Sequence, residues 1–364
     1  MERTLVVILA ETRAYEFSFA SFKSNLLDSL GADLALCIAN NEWEHQGNPY
    51  YQAAKYIWTY EEPRDWGTAF DLAQKVEGWH GDWRCLLQLN GILMGGVHDH
   101  SGCRTKGSGS ILLFFRWLLK QKLIETGVYK QYDRFVITRS DYIHTVHHFP
   151  LRLMNCDHIW IPDGEDYGGY TDRHIVVSQK DVLAVLSVTD PILRDPEGLY
   201  HRLCSRREWN LERYLKYAFC ELGIDACVRR YPFTMYAVRS ADGRTSWSTG
   251  TFSMRHGYCI KYRDEHRKAL LASKMILRPE DWTPEATAAF CKLVSFTDWL
   301  QHCTSLWVHP IKNVRLRRFC CMLIYGSFLS DRWFASVYSR LCVVWAQFLT
   351  FSNHRGGAGG GIAV

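Results

Sequence analysis

Arg139, Ser140 and Asp141 close an apolar run of strand character that begins at Asp133. Ligands of α/β sheets bind where strands run out at their carboxyl ends, so a guanidinium and a carboxylate there face a site floor. Two residues apart on a continuing strand, Arg139 and Asp141 share one face. They either form a salt bridge, or divide the work between a phosphate and a metal or ribose. Asp141 offers the oxygen donors that Mg²⁺ or Mn²⁺ prefers. The second chemical cluster is the loop over residues 163–173, which carries Glu165, Asp166, Gly168, Gly169, Asp172 and Arg173. Gly168 and Gly169 permit close approach of the backbone to a ligand. Crowding among the carboxylates raises the pKa of one toward neutrality, where a general base works best. Asp172 is the first choice for substrate contact, and Asp166 and Glu212 are alternative bases. Asp172 and Arg173 can also pair internally and hold the loop shut.

The elements that position these groups follow from apolar periodicity. Residues 4–10 form an apolar run expected to be the first strand of a nucleotide-binding sheet. Thr12 and Arg13 lie in its exit loop, where the arginine meets a phosphate or a base edge, or caps the following helix. Residues 17–30 carry apolar side chains near helical spacing, Gly31 stops the helix, and residues 33–39 make a second strand. This strand–helix–strand opening is the start of an α/β fold. Residues 111–125 predict an apolar helix, with Gly127 after its end and a Gly-Ser loop at residues 107–110 before its start. That loop lacks the lysine-Ser/Thr ending of a P-loop. Short strands are expected at 158–162 and 175–178, helices at 181–188 and 208–222, and one or two strands over 224–239.

Two histidine groups invite a metal reading. His98 and His100 are separated by one residue and face opposite sides of a strand, so a metal-dependent hydrolase there requires a loop. His144, His147 and His148 follow the central strand as an acceptor-facing or structural turn. The thirteen cysteines are odd in number and form no C-x-x-C pair, which predicts reduced thiols. No apolar leader precedes the first strand, and the expected location is cytoplasmic. The net charge of +5 concentrates in the tail: from Ser305 onward the segment is +6, leaving −1 for the remainder. A nucleic-acid-binding body is therefore not expected.

The motifs together carry a resemblance. The run from Tyr132 to His144 holds Arg139-x-Asp141, the loop from Ile159 to Ser178 holds Trp160-x-Pro162 and Gly168-Gly169-x-x-Asp172-Arg173, and Asn210-x-Glu212 opens a helix. In this order they resemble a family of GT-A-type glycosyltransferases of bacterial and viral polysaccharide synthesis, over roughly residues 4–268. The resemblance implies a GT-A-like, Rossmann-like domain over residues 1–275 that transfers a hexose or deoxyhexose from a nucleotide sugar to a glycan or lipid-linked acceptor. Donor binding would fall to Thr12, Arg13, Arg139, Asp141, Gly168, Gly169 and Arg173, and catalysis to Asp172, Asp166 or Glu212. A divalent cation, Mg²⁺ or Mn²⁺, would sit on Asp141, which matches the last acid of the family's D-x-D element; Arg139 replaces the first. That replacement also motivates a rival reading, a carbohydrate- or membrane-binding protein that keeps the fold without catalysis.

Residues 276–355 are expected to be a helical, basic and aromatic extension, and residues 356–364 a disordered glycine-rich tail. The stretch 333–351 has about the length to span a bilayer but carries Arg340, a costly mid-span charge. Helices lying in the membrane interface beside the acceptor, or a helical subdomain packed on the body, are the two expectations.

Overall fold

Every residue of Thr4–Ala10 is buried, and together they make strand β1. Leu5, Val7 and Leu9 point into one hydrophobic cluster, Val6 and Ile8 into another on the opposite face. A strand covered on both faces belongs in the middle of a sheet, which is why its sequence is continuously apolar rather than alternating. The computed structural model describes residues 2–40, 47–206, 208–241 and 249–275, all within one compact unit, Met1–Cys291. The expected C-terminal extension and tail lie outside the described residues. Among the described residues no helix is long and apolar enough to cross a membrane.

Helix α1 (Tyr15–Phe22) runs into wider π-type turns over Lys23–Asp28, so the expected helix is present with an altered second half. There the Asn25 carbonyl accepts from the His148 backbone N–H and from Ser29 Oγ, partners outside the regular helical ladder. Strand β2 (Asp33–Asn40) follows, then the short α2 (Pro49–Ala53), β3 (Ala54–Glu61) and α3 (Gly67–Glu77). The long α4 (Gly109–Thr126) buries Leu113, Phe114, Phe115 and Trp117 against the β1 face and ends at Gly127 in the left-handed region, as expected. Strands β4 (Arg134–Thr138), β5 (Tyr142–His144), β6 (Ile159–Asp163) and β7 (Ile175–Ser178) come next, followed by α5 (Gln179–Leu186), α6 (Asp190–Arg194), α7 (Pro196–Leu203) and α8 (Leu211–Glu221). The described chain ends with β8 (Val228–Pro232), β9 (Met235–Arg239), β10 (Thr251–Ser253), β11 (Tyr258–Ile260) and α9 (Arg263–Met275).

The main sheet has seven strands in the order β3-β2-β1-β4-β7-β6-β8. Its β3-β2-β1-β4 half is parallel, while β7 runs antiparallel to β4 and β6. This mixed α/β architecture, with a Rossmann-like half, is the class expected from the sequence. A second, four-stranded sheet, β10-β11-β9-β5, was not anticipated. The two halves of the 224–239 run part company: β8 joins the main sheet and β9 the small one.

Candidate functional site

After Thr138 the chain leaves the main sheet, and at Tyr142 it enters the small one. Arg139, Ser140 and Asp141 are the crossing. Strand β5 pairs antiparallel with β9, and the Val238 N–H donates to the Asp141 carbonyl at 2.9 Å. Arg239, the last residue of β9, therefore arrives beside Asp141. Strand β11 pairs with β9 in turn, and the Lys261 N–H donates to the Ala237 carbonyl at 3.0 Å, which brings Lys261 to the same end. From the main sheet, the loop after β1 brings Arg13. These groups open on a cleft of about 310 Å³ that is also lined by Arg173, Asp172, Glu212, Tyr167, Tyr262 and Trp66.

Asp141 is 1% exposed, and its carboxylate is shared by three guanidiniums. Arg139 donates Nε to Oδ1 at 3.2 Å and Nη2 to Oδ2 at 3.0 Å, Arg13 donates Nε to Oδ2 at 3.2 Å, and Arg239 donates Nη1 to Oδ2. Burial alone would push this carboxyl up; Arg139, Arg239 and Arg13 outweigh it and hold it well below the usual range. The expected salt bridge between Arg139 and Asp141 is thus present, with two further cations that sequence reasoning missed or left open. Arg13 Nη1 also lies 3.2 Å from Glu11 Oε2, so three guanidiniums meet two carboxylates and the cluster keeps a small excess of positive charge. Burial first, then Arg139 and Arg239, bring the Lys261 ammonium down to about 6.

That donor set does not favour the divalent cation expected at Asp141. Both carboxylate oxygens already accept charge-assisted hydrogen bonds, and a metal at coordination distance would lie among guanidiniums of its own sign. Among the described residues no group of three or more His, Cys, Asp or Glu side chains is placed to hold a metal. His98 Nδ1 lies 3.2 Å from Asp65 Oδ1 and its backbone N–H donates to the same oxygen, so it fastens a loop. His144 and His148 are buried, and His148 stacks on His174 with ring centroids 5.3 Å apart. They are core, and burial lowers the pKa of both. The eight cysteines among the described residues are free thiols.

Two acids line the cleft. Asp172 is 7% exposed, and its Oδ2 has no hydrogen-bond partner among the described residues. Buried Arg116, from α4, donates Nη2 to the Asp172 carbonyl at 3.0 Å and Nη1 to the Leu112 carbonyl, tying the 163–173 loop to that helix. Glu212 sits in the first turn of α8, whose start is capped by the Asn210 side chain accepting from the Arg213 N–H at 2.8 Å. Burial first, then the Asp172 carboxylate, push Glu212 up to about 7. The loop and the helix touch through backbone: the Tyr170 N–H donates to the Glu212 carbonyl at 2.9 Å. A Cβ on Gly169 would meet that carbonyl oxygen at 1.9 Å, so only glycine allows the approach. Gly169 thereby has a packing role beside the site.

Other expected residues lie elsewhere. The Asp166 carboxylate accepts from Arg230 Nη1 at 2.9 Å and from the Thr171 N–H at 3.2 Å and does not line the cleft, so it braces the loop rather than facing a substrate. Thr12 is buried with Oγ1 accepting from Asn48 Nδ2 at 2.9 Å, which shapes the β1 exit loop. Gly168, at φ 89°, packs on the Arg213 side chain outside the cleft. Arg173 lines the cleft at 4% exposure, stacked 4.9 Å from the Tyr262 ring and 5.6 Å from Tyr167. Its Nη1 lies 3.4 Å from Glu265 Oε2, and burial raises that carboxyl to about 7. Its approach to Asp172 is longer, 3.9 Å, so the expected internal pair is the weaker of the two.

Backbone strain gathers in the same loops. The non-glycine residues at positive φ among the described residues are Ala10 (74°), Ala14 (57°), Glu165 (56°) and Tyr167 (45°). Two flank Arg13 and two precede Asp172. Ala10 forms a γ-turn, with the Glu11 N–H donating to the Leu9 carbonyl at 3.0 Å. Such conformations cost of order 1–3 kcal/mol each and cluster at functional sites.

The residues missed were Arg239, Lys261, Arg116 and Tyr262. For Arg239 and Lys261 a signal existed: each closes or follows a strand, as Arg139 does. No family model matches the chain, and none of the curated proteins matches it. A solved structure similar to this chain is that of mouse xyloside xylosyltransferase 1 in its apo form, aligned over 64% of this chain and 86% of that one at 9% identity and a TM-score of 0.33.

Proposed function

We propose that this chain is a glycosyltransferase that moves a sugar from a nucleoside-diphosphate sugar to a hydroxyl of a glycan or lipid-linked acceptor. The observation that carries the reading is the cleft itself. Arg13, Arg139, Arg173, Arg239 and Lys261 line it together with the carboxylates of Asp172 and Glu212. Cations at strand ends suit a diphosphate, because guanidinium groups match phosphate oxygens in geometry and charge. Carboxylates suit the other half of the reaction.

In that reaction the bond between the anomeric carbon and the diphosphate oxygen breaks, and a bond from the acceptor oxygen forms. Negative charge grows on the leaving diphosphate, where the arginines stabilise it electrostatically. The acceptor hydroxyl loses its proton to a carboxylate, and Glu212, with a pKa of about 7, is matched to that task. Asp172, whose buried Oδ2 has no hydrogen-bond partner among the described residues, is assigned to a sugar hydroxyl or to the cationic charge developing at the anomeric carbon.

The test is a panel of nucleoside-diphosphate sugars incubated with the full chain, with and without simple glycan acceptors, reading released nucleoside diphosphate. Turnover with one donor, lost in Glu212→Gln, is the expected result. The rival reading, a carbohydrate- or membrane-binding protein without catalysis, is motivated by Arg139 standing where an acid is expected, and it predicts no turnover with any donor. No binding of any nucleotide would end the transferase reading, and binding of glycan or liposomes without turnover would establish the rival.

A further inference from the structure

We infer that the cleft holds its ligand's diphosphate directly on arginine and lysine side chains, with no divalent cation between ligand and protein. This rests on the nucleotide-sugar reading above and adds to it how the leaving group is neutralised. Three independent features point the same way. Asp141, the strand-end carboxylate placed to carry a metal, has both oxygens engaged by Arg13, Arg139 and Arg239. A metal ion brought to it would have to displace guanidiniums whose charge it repels.

Second, the cluster contains a buried donor awaiting an acceptor. Arg239 is 3% exposed and lines the cleft, yet its Nε has no hydrogen-bond partner among the described residues. An unpaired buried N–H is costly, and a phosphate oxygen satisfies it where a cation cannot. Third, Lys261 faces Arg139, Arg239 and Arg173, with Asp141 as the compensating carboxylate and Tyr262 and Glu265 on the following turn. Burial and those arginines hold its ammonium down to about 6. Around Asp141 three guanidiniums and Lys261 meet two carboxylates, Asp141 and the Glu11 that pairs with Arg13 at 3.2 Å, so an anion is favoured there and a divalent cation is not. The diphosphate supplies that charge and draws a proton onto Lys261.

The experiment is calorimetric titration of the full chain with UDP, GDP, ADP and CDP, and with inorganic pyrophosphate as a probe of the diphosphate alone. Each is run in excess EDTA and again with Mg²⁺ or Mn²⁺. The expected result is one nucleotide binding in EDTA, with an affinity that metal changes by less than about tenfold. Titrations near pH 7 in buffers of different ionisation heat should show proton uptake on binding. In Lys261→Gln that uptake disappears and binding weakens about tenfold, the loss of one charge-assisted hydrogen bond. Because the measurement on the unaltered chain decides the point, poor folding of a variant does not blur it. Binding that requires the metal would overturn the inference and leave the nucleotide-sugar reading standing. Failure of every nucleotide with and without metal would remove that reading, and the inference with it.

Discussion

Asp141→Asn is the sharpest perturbation of the site. The substitution keeps the shape of the side chain and removes its charge, leaving Arg13, Arg139 and Arg239 facing one another in a buried crossing. Removing one partner of a buried ion pair costs about 3–5 kcal/mol, because the other charge stays desolvated and unpaired. At about 2–4 °C per kcal/mol for a large domain, the melting temperature should fall by on the order of 10 °C. Saturating nucleoside diphosphate should restore part of this, since a ligand at a hundred times its Kd adds about 2.7 kcal/mol. The gain in melting temperature on adding ligand should also be larger in the variant, where the cations no longer share their charge with Asp141. The sign with pH is fixed as well. Asp141 is held well below its ordinary value, so its stabilisation is complete above pH about 4 and is lost as pH falls through the lower folded value. The assay is differential scanning fluorimetry from pH 2 to 8 with and without nucleotide, in which the wild-type chain should approach the variant only below pH about 4. A variant as stable as the wild-type chain at neutral pH would refute the reasoning, because it would mean that the three arginines do not depend on this carboxylate.

Three further outcomes are expected. For Glu212→Gln, turnover should fall about 10²–10⁴-fold, the range for losing a general base. The wild-type rate should climb through pH about 7, an inflection the variant lacks. Because the folded pKa of Glu212 is raised, its contribution to stability is lost as pH rises toward 7, so the variant should melt higher than wild type at pH 8. Gly169→Ala places a Cβ 1.9 Å from the Glu212 carbonyl oxygen and 2.4 Å from the Arg213 nitrogen, both backbone atoms, so the start of α8 must move. About 1–3 kcal/mol of stability should be lost, and turnover should drop about 10²-fold with Glu212 out of place, while nucleotide affinity, carried by other elements, is largely kept. Finally, nucleotide affinity above pH 7 should weaken by up to about tenfold per pH unit as Lys261 gives up the proton it gains on binding; a flat profile from pH 7 to 8.5 would exclude Lys261 from the ligand.

Much of the fold could be read from local pattern. The continuous apolar run of β1, the helix ending at Gly127 and the strand ending at Thr138 each announce themselves within a dozen residues. Burial on both faces, helical spacing and a left-handed stop leave marks on neighbouring positions. The altered turns of the first helix left no such mark; a partner of theirs, the His148 N–H that donates to the Asn25 carbonyl, comes from far along the chain.

The site divides along the same line. Sequence alone determined that Arg139 and Asp141 stand together at a strand end, that glycines and acids follow in one loop, and that Glu212 lies near the start of a helix. Residues two to four apart have their relation set by the backbone period. Only the tertiary structure decided that Arg239, 98 residues from Asp141, shares its carboxylate, that Lys261 joins them through β11, and that Asp166 turns away to Arg230 while Glu212 faces the cleft. Those relations depend on strand register across a second sheet and on which side chain finds a partner in the interior. Pairing register and burial are properties of the packed whole, and no single stretch of residues contains them.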